Sequence, residues 1–342
     1  MRSFFAAVTA LAIVSAACQA PRAGVGAPAS PTGAAASAAA TAAAEPDFSG
    51  KTLNIATGST GAIYIIYGAG IADLLTKKLK VAASSQATPA SVDNMKLIRD
   101  GKADLALTQA DIAADAVKGL GRFAPPEAKA DAKALAVMYT NYMHLVTKDG
   151  SPINTVPDLK GKRVSLGPAG SGTEVKATRV LEAYGLTPAD LQVQRLSAQD
   201  AADALRDGKV DAFFFDGGLP LGAVLDLSSS TKIKLIDQSE AIKKMQDKYG
   251  SYYFAGKIPK ETYKTANDVV VAALANLLVV PSSFDPKLAS AIIRTIYDNR
   301  KDLELVHPAA LELKLETMTV GSPIDFHSGA IDFYKSRNAW KQ

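Results

Sequence analysis

Cysteine is almost absent from this 342-residue chain. The only one is Cys18, so everything from residue 49 onward lacks a disulfide, a thiol nucleophile and a thiolate for a metal. Histidine is nearly as scarce: His144, His307 and His327 are the full set, and none stands at metal-ligand spacing from another or from acidic residues. Metal catalysis therefore has no support. Aromatics make up 7% of the chain, and its lysines and arginines are scattered at a net charge of +4. The clustered basic patch with stacking rings that nucleic-acid binding needs is missing. No G-x-S-x-G elbow marks a serine hydrolase. No cofactor is expected. The longest early apolar run, Phe4 to Val14, falls short of the roughly 20 residues that cross a bilayer.

That run has another reading. Arg2 precedes it and Ser15-Ala16-Ala17-Cys18 follows, so residues 1–17 read as a bacterial export signal. A small-small-Cys ending points to lipidation at Cys18, with Ser15 standing where Leu is usual. A plain secretory peptide with an incidental cysteine is the other reading. Residues 19–47 are nearly all Ala, Pro, Gly, Ser and Thr, which gives no periodic apolar face to bury. Residues 18–48 are therefore expected to be a lipid-anchored, disordered linker, holding a monomeric body at a membrane surface in the periplasm.

Beyond it, the chain says one thing twice. Arg99-Asp100-Gly101-Lys102-Ala103-Asp104 returns as Arg206-Asp207-Gly208-Lys209-Val210-Asp211. Each copy follows a helical stretch and precedes an apolar run, with Gly where a helix end wants a left-handed residue. A Gly/Ser/Thr turn feeds a helix upstream of both, at Gly58-Ser59-Thr60-Gly61 and at Gly167 to Thr173. Strand, helix, strand, helix, strand is thus expected in each half, an α/β fold of two lobes, each a mainly parallel sheet flanked by helices. Two long β-rich segments, Ala134 to Lys148 and Asp268 to Val280, are long enough to cross between lobes as hinge strands. The expected organisation is lobe I from 49–143 and 272–342, and lobe II from 144–271. A Gly/Pro stretch around Gly119 to Pro126 reads as a mobile connection.

Open α/β sheets bind ligands at strand carboxyl ends, so the cleft between lobes is the expected site. Its most specific signal is Gly170-Ser171-Gly172-Thr173-Glu174, where free amides, helix dipole and two hydroxyls favour an anion. A glycine turn that merely caps its helix is the plainer alternative. Gly167 and Gly172 have Walker spacing, but Thr173 stands in place of the lysine, which argues against a nucleotide. In the first half, Gly58, Ser59, Thr60 and Tyr64 form the equivalent turn, although Tyr64 also fits the apolar helix face. Gln86, Ser91 and Asn94 follow the second strand, where Ser91 and Asn94 equally suit helix capping. Gln109 and Asp111 follow the third. Asp216 and Pro220 follow its second-lobe counterpart, Asp216 either holding a ligand ammonium or satisfying turn amides.

Together these residues resemble the TAXI family, the receptors of tripartite ATP-independent periplasmic (TRAP) transporters. The resemblance covers about residues 50–335. It rests on Ala56 to Gly61 with Tyr64, Ser91 to Asn94, Gly101 with Asp104, Gln109 with Asp111, Gly170 to Glu174, Asp207 to Lys209 with Asp211 to Phe213, and Phe326 to Ala330. Ala62 and Ile63 replace the usual Gly and Thr, and Ser328 replaces Pro. The resemblance implies a periplasmic-binding-protein type II-like fold whose hinged lobes deliver a small organic anion or amino acid, such as glutamate or a related C4/C5 carboxylate, to TRAP membrane permease subunits. A receptor for an ABC importer or a sensor kinase would share these residues. An exported enzyme on the same scaffold lacks a nucleophile or general-base pair.

Overall fold

The computed structural model describes residues 47–341. The export signal, Cys18 and the tether up to residue 46 lie outside the described residues. The folded body starts earlier than expected: Phe48, assigned to the tether, is buried in the first core, and its carbonyl accepts from the Lys51 amide.

The strands are β1 (Thr52–Ala56), β2 (Ala82–Gln86), β3 (Leu105–Gln109), β4 (Ala132–Lys148), β5 (Arg163–Ser165), β6 (Gln192–Gln194), β7 (Ala212–Gly217), β8 (Ile233–Leu235), β9 (Phe254–Ile258) and β10 (Val269–Pro281). The helices are α1 (Ile63–Leu79), α2 (Ser91–Arg99), α3 (Ala110–Lys118), α4 (Gly172–Ala183), α5 (Ala198–Arg206), α6 (Gly222–Ser230), α7 (Ser239–Tyr249), α8 (Lys260–Tyr263), α9 (Pro286–Asp298), α10 (Arg300–Val306) and α11 (Ser328–Ser336). The fold is α/β, built on a mixed sheet in the order β2-β1-β3-β10-β4-β7-β5-β6, with β8 on β4 and β9 on β10.

Within that sheet the same unit occurs twice. β1 pairs in parallel with β2 and β3, and β5 pairs in parallel with β6 and β7. Each trio then meets an antiparallel crossing strand, β10 on β3 and β4 on β7. The crossing strands also pair with each other from Ala132 to Tyr142 and from Ala273 to Pro281, so two long strands are shared by both halves. Their runs of Val, Leu and Ala suit strands covered on both faces.

Side-chain packing divides the body accordingly. One core draws on Phe48 to Tyr139 and Ala275 to Ala339. Two more draw almost wholly on Met143 to Leu274, with Ala212 and Phe214 in one, and Phe213 and Phe215 in the other. That alternation along β7 puts them on opposite faces of the sheet. The change of core falls between Tyr139 and Met143 and between Leu274 and Ala275, so Met143, Ala272 and Leu274 pack with the second lobe rather than the first.

The repeated phrase explains itself physically. Gly101 and Gly208 have φ of 65° and 72°, the left-handed conformation that ends α2 and α5. The closing aspartates then grip the first strand of each lobe. Asp104 accepts from the Asn54 amide at 2.7 Å, and Asp211 accepts from the Arg163 amide at 2.8 Å. The 119–126 connection holds a 3₁₀ turn, Gly121–Phe123, whose Phe123 is buried against the first core.

Candidate functional site

A cavity lies between the lobes, beside β4. Lobe I contributes Gly58, Ser59, Ala62, Ile63, Tyr64, Pro89, Ala90, Ser91, Gln109 and Tyr139; lobe II contributes Ser171, Gly172, Thr173, Phe215, Asp216 and Gly217. Its volume of about 20 Å³ is close to what one water needs. A ligand of several heavy atoms enters only if the lobes part or Gln109 swings away.

The lining has a common origin. β1, β2 and β5 each lead through a turn, and β3 directly, into a helix, and the four residues that start those helices, Ala62, Ala90, Gln109 and Ser171, all line the cavity. Ala62, Ala90 and Gln109 supply no side-chain cap. Ser171 caps only the Glu174 amide, at 3.0 Å. The first amides of α4, Gly172 and Thr173, have no intrahelical acceptor. Four positive helix ends thus converge, while among the described residues no lysine or arginine lines the space. Ala90 holds φ 107° and ψ −144°, a strained conformation for a residue with a Cβ.

Polar groups in the floor form a chain. The Tyr64 hydroxyl donates to Asn276 Oδ1 at 2.7 Å and lies 3.3 Å from Ser91 Oγ. Ser91 Oγ accepts from the Gln109 amide, and Asn276 Nδ2 donates to Asn141 Oδ1. Burial pushes the Tyr64 hydroxyl up, which keeps it protonated. Gln109 Oε1 and Ser59 Oγ are buried without a hydrogen-bond partner among the described residues. Gln109 reaches across to α4: a Cβ at Gly172 would sit 2.6 Å from its amide carbon, so any larger residue there would push the Gln109 side chain aside.

Beneath the cavity, Lys176 Nζ donates to both Asp216 oxygens, at 3.0 and 3.1 Å, with both side chains fully buried. The ammonium that Asp216 holds is therefore the protein's own, correcting both sequence readings of this residue. Burial pushes the Asp216 carboxyl up to about 6, against the pull of Lys176.

Several other sequence candidates lie elsewhere. Thr60 is exposed. Gln86 sits on an edge strand, exposed, and accepts from Asn54 Nδ2. Asn94 is buried but spends its amide on the carbonyls of Thr57 and Leu107, tying strand ends together. Asp111 accepts from Arg179 and Tyr253 at a lobe-lobe contact. The Pro220 carbonyl accepts from His307 Nε2 across the lobes. Gly58, Ser59, Tyr64, Ser91, Gln109, Ser171, Gly172, Thr173 and Asp216 do meet at the cavity.

Sequence reasoning missed Tyr139, Phe215, Lys176, Asn141 and Asn276. Asn276 had a legible signal, as the one polar side chain in the apolar run of β10. The late Phe326 to Ala330 segment serves packing: His327 caps α11 by accepting from the Gly329 amide, and α11 rests on α9.

The model of the NMT1-like family matches residues 55–337, nearly all of the described body. The chain belongs to the NMT1-like family. Among solved structures, a protein of Bordetella bronchiseptica RB50 is 18% identical, with 85% of this chain and 89% of that one covered, at a TM-score of 0.50. This family member shares that fold. The periplasmic aliphatic sulphonate binding protein SsuA from Escherichia coli is 17% identical over 84% of each chain, at 0.46. A binding component of an ABC phosphonate transporter from Pseudomonas aeruginosa is 12% identical, with 76% and 78% covered, at 0.47. Among the described residues no helix is long and apolar enough to cross a membrane, and no group of metal-ligating side chains assembles.

Proposed function

We propose that this NMT1-like protein is an extracytoplasmic solute receptor that closes its lobes over a small organic anion. The observation that carries this reading is the convergence of four helix starts on one interlobe cavity without a lining cation. A carboxylate or similar oxyanion is held there by the Gly172 and Thr173 amides and the hydroxyls of Ser171 and Thr173. Ser59, Tyr64, Ser91 and Gln109 take its other end. Asp216 is neutralised by Lys176, so it leaves the anion site without net repulsion. The two crossing strands serve as the hinge, and the closed shape is what a membrane partner recognises.

The finer reading is a TRAP receptor, exported, tethered through Cys18 and handing over glutamate or a related C4/C5 carboxylate. The same geometry serves an ABC importer, and transport driven by an ion gradient rather than ATP distinguishes the two. No acid-base pair or nucleophile lines the cavity, which favours a receptor over an enzyme. A thermal-shift panel of organic anions, amino acids and neutral analogues tests the reading, and anions are expected to raise the melting temperature selectively. Replacing Ser171 by Ala and Thr173 by Val is expected to cost the best anion about 1–3 kcal/mol by calorimetry. Unchanged affinity removes both residues from the site.

A further inference from the structure

The lobes meet in a second buried place, two turns along α4 from its anion-facing start. Arg179 projects from α4 of lobe II and donates to Asp111 Oδ2 at 3.2 Å and to Asp115, both on α3 of lobe I. Asp111 and Asp115 are four residues apart, on one face of that helix. The Tyr253 hydroxyl of lobe II accepts from Arg179 at 2.9 Å and donates to Asp111 Oδ2 at 2.6 Å. The guanidinium also lies over the Tyr249 ring, 4.3 Å from its centre. All three charged side chains are buried. Thr173, Lys176 and Arg179, three residues apart, place anion site, buried pair and lobe contact along one stripe of α4.

We propose that Arg179, Asp111, Asp115 and Tyr253 form a latch that exists only in the shut form and holds the start of α4 against Gln109 and Ser91. This rests on the reading of the protein as a receptor whose lobes open and close. The physical reason is a balance. Opening breaks the ion pairs but returns all the charges to water, and for buried pairs these terms nearly cancel. Such a contact fixes the closed geometry without making it irreversible. Removing the arginine, or both aspartates, destroys the balance, because the shut form then buries a charge with no counterion while the open form hydrates it. Arg179 is thus a positioning residue that acts on the ligand through α4 without touching it.

The test needs no ligand. In full-length protein carrying Cys18→Ser, which removes the only native thiol, exposed Lys118 on α3 and Lys243 on α7 are replaced by Cys and spin-labelled. Pulsed electron resonance then reads lobe separation in the parent, in Arg179→Met, which orphans two carboxylates, and in the double variant Asp111→Asn/Asp115→Asn, which leaves Arg179 without a counterion. The expected result is a longer-distance population in both variants, with the open-to-closed ratio raised at least tenfold. Each variant should retain a cooperative melting transition. If one fails to fold, the other, altered on the opposite lobe, still reads the latch. Unchanged distances in a folded variant overturn the proposal. Because the readout is made without ligand, that failure is separable from failure of the anion screen.

Discussion

Replacing Asp216 by Asn should be among the most damaging single changes in lobe II, although it alters one atom type and no volume. The reason is that Lys176 would keep its charge where no solvent reaches it. Its ammonium has both Asp216 oxygens within 3.1 Å, and its side chain is fully buried. Breaking such a pair from one side costs about 3–5 kcal/mol. For a body of this size, with roughly 2 °C lost per kcal/mol, the melting temperature should fall by about 6–10 °C. Adding Lys176→Met removes the orphaned charge, so the double variant should regain most of that loss. A double-mutant cycle from urea unfolding should return a coupling of about 2–3 kcal/mol. If Asp216→Asn melts within 2 °C of the parent, or if Lys176→Met adds to the loss instead of relieving it, the electrostatic account of the cavity floor is wrong.

Two further outcomes follow from buried groups and strain. His144 is fully buried, its Nε2 2.8 Å from the Tyr263 hydroxyl, and burial lowers its pKa from 6.5 to about 4. The sign is that of a depressed group: its contribution is present above pH 6.5 and is lost as pH falls towards 4, about 3 kcal/mol in all. Urea unfolding of His144→Gln should lose less stability than the parent between pH 6.5 and 4, and an equal or steeper acid loss refutes the assignment. Ala90→Gly should raise the melting temperature by relieving a positive φ, by about 1 kcal/mol; a loss of stability would show that the backbone there is unstrained.

Much of the architecture was legible because it depends on local signals. The Arg-Asp-Gly-Lys repeat marks two left-handed helix ends and two aspartates that hold strand starts, and each job needs its own residue type at a fixed offset. The long crossing strands were legible as apolar runs too long for one small lobe. The Gly170 to Glu174 turn was legible as a capped helix start. What escaped was the choice of partner across the fold. Asp111 follows β3 and Asp216 lies at the end of β7, both at the carboxyl edge, yet Arg179 and Lys176, distant in sequence, determine where each carboxylate points. Gln86 and Gln109 end strands of the same sheet. Only Gln109 faces the cleft, because β2 is an edge strand and β3 a central one. The 219–267 region, with β8, β9 and three helices, gave no repeat to read.

The most direct test of the central claim is a crystal structure with the tightest-binding organic anion from the thermal-shift panel. The account predicts an anionic oxygen within hydrogen-bonding distance of the Gly172 and Thr173 amides, with Gln109 displaced from its place against Gly172 and both lobes in contact with the ligand. An anion bound to one lobe alone, or anywhere away from the start of α4, contradicts it.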